Sequence, residues 1–256
     1  MRLIGMVHLA PLPGAPRHSG GLDAVVRDAL ADAVALAEGG CDALMVENFG
    51  DAPYFPDDVP NVTVASMTRV VSTVVETVDL PVGVNVLRND ALAALAVATA
   101  AGASFIRVNV LSGSMTTDQG PITGRAAEVA RARATWAPGI DVFADVFVKH
   151  AVPPPGLAIE DATADLVLRA GAGAVVVSGT ATGFAPAADR VAAVARAAAG
   201  APVYIGSGLD PRNAATLLKH ASGAIVGTTV KLDGVTANPV DPARLAELVV
   251  AVAETV

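Results

Sequence analysis

The chain has a single cysteine among 256 residues, which rules out an internal disulfide and suits a reducing compartment. Cys41 follows Gly39-Gly40 at the start of an apolar run and reads as a small core residue. Aromatic residues are scarce at 4% and charged ones at 16%, against 53% hydrophobic, so the chain can bury a large core and is not disordered. Much of the apolar content is alanine, which favours closely packed helices over an aromatic interior. Excess positive charge is also missing: a net charge of −8 without any Lys/Arg cluster excludes a nucleic-acid surface. The longest uncharged apolar run, Ala91 to Ile106, is shorter than a membrane span and broken by Gly102, and no signal-peptide pattern follows Arg2. A soluble, cytoplasmic protein without integral membrane contact is expected. No His-x-His or His-x-x-x-His spacing fixes a metal, although a Mg2+ held by one or two carboxylates and a substrate phosphate would leave no sharper trace.

What is present is a repeated joint. Ala37 to Val46, Ala100 to Ile106 and Arg169 to Val177 each run from a helix end through glycine into a short, fully apolar strand. Strands of this kind are expected around Leu3–Val7, Ala43–Glu47, Val82–Val86, Phe105–Val108, Asp141–Phe147, Ala174–Val177, Val203–Ile205 and Ala224–Val226, with helices between. The clearest helix carries Leu22, Val25, Val26, Ala29, Leu30, Ala33, Leu36 and Ala37 on one face. Asp210-Pro211 reads as an N-cap and first-position proline, and Pro242 to Glu254 as the closing helix. Fully apolar strands alternating with helices imply a parallel sheet covered by helices. With no linker or composition shift, residues 1–256 are expected to form one α/β domain, a (β/α)8 TIM barrel, with a doubly wound open sheet as the alternative.

Three proline-rich loops, Ala10–Gly21, Asn48–Asn61 and Lys149–Ile159, follow strands and therefore lie at the C-terminal mouth, where barrel active sites are found. Strand alternation turns Val142, Ala144, Val146 and Val148 toward the helices and Phe143, Asp145, Phe147 and Lys149 into the barrel. The same sorting turns His8, Glu47, Asn85, Arg107 and Asn109 inward near their strand ends. Ionised groups are costly to bury unless paired, so this convergence needs a reason. Read as an active site, it offers Glu47 or Asp145 as general base and His8 or His150 as general acid or proton shuttle. Lys149 would stabilise an enolate or act as a Schiff-base amine, and Asn48, Asn85, Arg107 and Asn109 would bind substrate. Read as packing, it pairs Glu47 with Arg107 and Asp145 with Lys149. His18 and His220 read as solvated or capping residues, and Phe49, Tyr54 and Phe55 as a ligand cover or a subunit contact.

Two Gly-rich turns, Gly206-Ser207-Gly208 and Gly227-Thr228, follow the expected seventh and eighth strands, the position of the phosphate site in many barrels. Glycine lets backbone N–H groups approach an anion closely. Ser178-Gly179-Thr180, after the sixth strand, is a third contributor, and Lys231 either reaches the same anion or lies along the surface.

Residues Gly5 to Pro16 (GMVHLAPLPGAP) and Val46 to Tyr54 (VENFGDAPY), together with Asp145 to Ala151 and the two Gly-rich turns, resemble the BtpA family, also called BtpA/SgcQ. The resemblance runs along nearly the whole chain and implies a barrel of the ribulose-phosphate-binding kind. The family takes its name from a factor for photosystem I biogenesis, while other members resemble proteins of sugar-metabolism gene clusters. It brings no set of catalytic residues with it. Three functions stay open: an isomerase, epimerase or aldol-type lyase acting on a small phosphorylated sugar or related phosphate ester; a non-catalytic assembly or regulatory protein; and a nucleoside- or nucleotide-processing enzyme. A homo-oligomer formed through the long loops is expected.

Overall fold

In the computed structural model, which describes residues 2–255, the apolar runs become strands buried over nearly their whole length. Chain order is β1 (Arg2–His8), α1 (Leu22–Glu38), β2 (Ala43–Glu47), α2 (Asn61–Thr77), β3 (Val82–Asn85), α3 (Ala91–Ala101), β4 (Phe105–Val108) and α4 (Ala126–Trp136). There follow β5 (Asp141–Val146), α5 (Ile159–Leu168), β6 (Ala174–Val177), α6 (Ala188–Ala197), β7 (Val203–Ile205), α7 (Ala214–Leu217), β8 (Gly223–Val226) and α8 (Pro242–Ala253). The eight strands pair in parallel in sequence order, and the sheet closes where β1 meets β8, with Gly5 beside Val226. This is the (β/α)8 barrel. The recurring glycine joint has its expected cause: Gly40, Gly102 and Gly171 hold φ of 100°, 76° and 74°, the left-handed conformation that ends a helix.

Two apolar layers hold the barrel. Outside the sheet, the stripe Val25, Ala29, Ala33 and Leu36 of α1 packs with the outward residues of the strands. Inside, Ile4, Met6, Met45, Val176 and Ile225 surround a stack of rings, with Phe105–Phe143 and Phe143–Tyr204 centroids 4.8 and 5.1 Å apart. These rings form the floor beneath the mouth. Gly83 on β3 makes room for the Phe105 ring, which a Cβ at that position would overlap.

The structure corrects several expectations. Lys231 neither reaches an anion turn nor lies on the surface. It is buried and ion-paired with Asp32 on α1, whose other oxygen accepts the Val240 N–H at 2.8 Å. This tie joins the first helix to the segment after the last strand. β5 ends at Val146, and Phe147, at φ 49°, swings out against the outer core instead of pointing into the barrel. The Asp210 carboxylate accepts from the Arg212 and Asn213 N–H groups at 2.8 and 3.1 Å, but it caps a turn, and α7 starts only at Ala214. Between β4 and α4 the chain forms an unanticipated antiparallel hairpin, Ser114–Thr117 with Gly120–Thr123, which Ala151–Val152 of the third long loop joins. No helix among the described residues is long and apolar enough to cross a membrane.

Candidate active site

Strand register builds the first tier of the site. His8 lies beside Glu47, Glu47 beside Asn85, and Asn85 beside Arg107, so four polar side chains follow one another around β1 to β4 directly above the aromatic floor. Asp145 stands one step higher on β5, two residues beyond Phe143, which is paired with Arg107. The guanidinium of Arg107 donates from Nε and Nη2 to the two Asp145 oxygens, 2.8 Å each. Burial disfavours charge on Arg107, but this carboxylate, helped by Glu47, outweighs it and holds the pKa above its ordinary value. Asn109 and Ser178 donate to Asp145 at 3.4 Å each, and Asn85 donates to Asn109 Oδ1 at 3.2 Å. The pairing is thus Arg107 with Asp145, not Glu47 with Arg107. Abstracting a proton with Asp145 would disrupt a buried bidentate pair, so Asp145 suits charge positioning better than base work.

Glu47 is the carboxylate left free. Its side chain accepts no hydrogen bond among the described residues, and its ion-pair-range contact is with His8, whose Nε2 lies 3.8 Å from Oε1. Burial raises the Glu47 pKa, while Lys149, Arg107 and Arg88 pull it partway back. His8 is kept neutral by burial first and by the Lys231, Lys149 and Arg107 charges next, all of which push it well below 6.5. Its ring meets Phe49 edge-on at 4.9 Å and lies over Gly227, where a Cβ would come within 2.5 Å of Cε1. His8 Nδ1 and Asn85 Oδ1 are buried without a hydrogen-bond partner among the described residues, one on each side of Glu47. Unpaired buried polar atoms are rare and call for a water or a ligand. Lys149 is half-buried on the third long loop. Its ammonium makes no hydrogen bond or ion pair among the described residues, and burial followed by Arg107 lowers its pKa.

Glu47, His8, Lys149 and Arg107 share one cavity with the turns Gly206–Leu209 and Gly227–Thr229. The N–H groups of Ser207, Gly208, Thr228 and Thr229 donate to no group among the described residues, as an anion cradle requires. The third contributor differs from expectation. Ser178 turns its hydroxyl to Asp145, the Gly179 N–H points at Ser207 Oγ (3.4 Å), and Thr180 is exposed, with its carbonyl accepting the His150 N–H. Thr182 and Gly183 line the cavity in their place. The loop from Gly179 to Ala185 lies against the Gly206–Gly208 turn, since a Cβ at Gly208 would overlap the backbone of Phe184 and Ala185. With the loop seated this way, the cavity is only about 30 Å³.

Other candidates fall outside this cavity. His150 is exposed at the rim, where its Nε2 accepts the Thr182 N–H at 3.2 Å. Asn48 is buried and brackets Leu87, accepting its N–H at 2.7 Å while donating to Asp51 at 3.0 Å. His18 is bonded to the Pro11 carbonyl (2.7 Å), and His220 is exposed. Tyr54 donates to the Phe49 carbonyl at 2.6 Å, whereas Phe55 is exposed. Arg88, which strand alternation does not reach because it follows the end of β3, is buried and donates to the Lys149 carbonyl at 2.6 Å. Its place in a Leu-Arg-Asn-Asp run directly after an apolar strand was the available signal. No three His, Cys, Asp or Glu side chains converge as a metal site among the described residues. A much larger cavity, about 550 Å³, lies between α4 and α5 beneath the hairpin and touches Asn109 and Asp145 of the candidate site residues. Chemistry, not size, therefore locates the site.

Fold and geometry together define a (β/α)8 barrel with a polar site at its C-terminal mouth. Within that class, the chain belongs to the BtpA family, which it matches over residues 1–254. An uncharacterized protein of Thermococcus kodakarensis is 51% identical over 247 residues, covering 96% of this chain and 93% of its own. The photosystem I biogenesis protein BtpA of Synechocystis is 44% identical over 252 residues, covering 98% and 88%. Among solved structures, N-(5'-phosphoribosyl)anthranilate isomerase from Pyrococcus furiosus aligns with a TM-score of 0.62 at 15% identity, covering 99% of each chain. Thiamine phosphate pyrophosphorylase from the same organism aligns at 0.61 and 14% identity, covering 100% and 96%. At such identities the likeness is one of fold.

Proposed function

We propose that this protein is an enzyme acting on a small phosphorylated sugar or related phosphate ester by acid–base chemistry next to a carbonyl, of isomerase, epimerase or lyase type. One observation carries the reading. A free, buried carboxyl, a free lysine and two Gly-rich turns with unpaired N–H groups line the same cavity. The turns after β7 and β8 hold the phosphate. Glu47 moves the proton, with a pKa lifted toward working pH by burial. Arg107 stabilises negative charge that develops on the substrate, where charge in a dry site counts most, and Lys149 faces the reacting carbonyl from the same cavity. Neutral His8 beside Glu47 relays or orients the proton. Both solved neighbours carry a phosphate ester in their names, which supports the anion cradle. If the reaction uses Mg2+, Glu47 is the carboxylate that would hold it, and the ion would supply charge for the substrate phosphate; self-association through the second long loop, where Phe55 is exposed, belongs to the same proposal.

A thermal-shift screen against phosphorylated sugars, nucleotides and inorganic phosphate, with and without Mg2+, tests the reading. A ligand at a hundred times its dissociation constant adds about 2.7 kcal/mol, or roughly 5–10 °C in Tm for a chain of this size. No shift with any phosphate refutes the cradle. The likeness to the photosystem I biogenesis protein favours a second reading, an assembly or regulatory role. That role is indifferent to Glu47→Gln in a complementation assay, whereas the enzyme is not.

A further inference from the structure

The chain strongly prefers arginine for positive charge. Of its 17 Lys and Arg residues, only Lys149, Lys219 and Lys231 are lysines. Each has a distinct setting. Lys219 is exposed on the turn after α7, and Lys231 is locked in the buried pair with Asp32. Lys149 alone faces the candidate active-site cavity, with its ammonium unpaired. Every other cation brought to the mouth, Arg88 and Arg107 included, is an arginine. Arginine serves a fixed charge better, with five donors and no accessible neutral form, whereas only lysine can offer a neutral, nucleophilic nitrogen. Burial first and Arg107 next bias Lys149 toward that neutral form; Glu47 and Asp145 oppose them in part, and Arg88 adds to the shift.

We propose that Lys149 is the nucleophile of a Schiff-base mechanism and that the substrate is a small phosphorylated aldehyde or ketone. This rests on the proposed function and deepens it. The Lys149 amine adds to the carbonyl carbon, forming a C–N bond as the carbonyl π bond breaks, and the oxygen takes a proton from the Glu47 carboxyl. The nitrogen loses a proton, and the hydroxyl then leaves as water with a proton returned through Glu47, giving a protonated imine. One carbonyl, one amine and one proton from Glu47 become an iminium and a water with no change of oxidation state, and Glu47 is left ionised. The iminium withdraws electrons from the neighbouring carbon, whose proton Glu47 in its ionised form is placed to remove, and hydrolysis returns the free lysine.

The test treats the full-length protein with glycolaldehyde phosphate and sodium cyanoborohydride, which reduces an iminium to a stable amine, and maps the modified lysines by mass spectrometry. Phosphate-free glycolaldehyde runs in parallel. Lys149 is expected to label faster than exposed Lys219, because its amine faces the phosphate turns in the cavity where the aldehyde phosphate is held. Inorganic phosphate should protect it. Lys149→Arg and Lys149→Met should both lose that label while keeping the parent's melting temperature. Labelling centred on Lys219, or spread evenly, overturns the inference. The two proposals fail separately. Phosphate-induced thermal shifts without Lys149 labelling leave the phosphate site standing and remove the nucleophile. Equal labelling of Lys149 by glycolaldehyde and its phosphate, without any thermal shift, leaves the nucleophile and removes the cradle.

Discussion

Replacing Asp145 by Asn tests the central feature of the mouth, because it removes one charge of a buried pair and nearly no volume. Both partners are almost fully buried, and the guanidinium makes two 2.8 Å bonds to the carboxylate. Removing one member of such a pair costs about 3–5 kcal/mol, because the remaining charge stays buried without a counter-charge. Asparagine keeps one acceptor, and Glu47 supplies some compensating field, so the lower end of that range applies. At about 2–4 °C per kcal/mol for a chain of this length, Asp145→Asn should melt roughly 6–12 °C below the parent. Urea titration at pH 7 gives the same difference independently of heating. The double variant Arg107→Met/Asp145→Leu removes both charges and should recover most of the loss, since an apolar pair of similar volume commonly replaces a buried ion pair without penalty. An Asp145→Asn protein that melts within about 2 °C of the parent would refute the reasoning. The result also bears on mechanism, because lost turnover in this variant reports a catalytic role only after the stability loss has been subtracted.

Glu47→Gln should raise the melting temperature at pH 7 while lowering turnover. Burial raises the Glu47 pKa, so the unfolded chain ionises first, and folded stability falls as pH rises from about 4.5 through the folded-state value. The amide abolishes that fall, and a parent and variant with parallel stability–pH profiles would contradict it. His8 shows the opposite sign: its folded pKa lies well below 6.5, so its contribution is present above that pH and lost as pH falls through the folded value. His8→Gln should therefore flatten the acid limb of the stability profile, and an unchanged limb counts against a neutral His8. Gly208→Ala combines a φ of 72° with overlap of the Phe184–Ala185 backbone, so it should weaken phosphate-induced thermal shifts at least tenfold in ligand concentration, roughly 1.4 kcal/mol, while Gly21→Ala, with open space at its Cβ, should not.

The barrel was legible in the sequence because its strands are continuous apolar runs between glycine-ended helices, a pattern set by local chemistry. The inward residues His8, Glu47, Asn85 and Arg107 followed from strand alternation for the same reason. Alternation failed where the backbone left the strand. At Phe147 a left-handed φ resets the phase, which returns Lys149 to the mouth but turns Phe147 outward. Long-range pairing was not legible. Asp32 sits on the apolar stripe of α1 as a misplaced charge until Lys231, 199 residues later, supplies its partner. Arg107 had two carboxylates within plausible reach, and only three-dimensional geometry assigns it to Asp145 and frees Glu47. The hairpin at Ser114–Thr123 carried its own signal in the alternating Ser-Met-Thr-Thr run before Asp-Gln-Gly, which the barrel pattern overshadowed.

The loop from Gly179 to Ala185 has a kinetic consequence. With that segment seated on the Gly208 turn, the cavity between the two Gly-rich turns is narrow, about 30 Å³. For the proposed phosphate ligand, association would then be gated: the rate at which the segment lifts, and not diffusion, would set its ceiling, and saturation of the observed binding rate at high ligand concentration would be the signature.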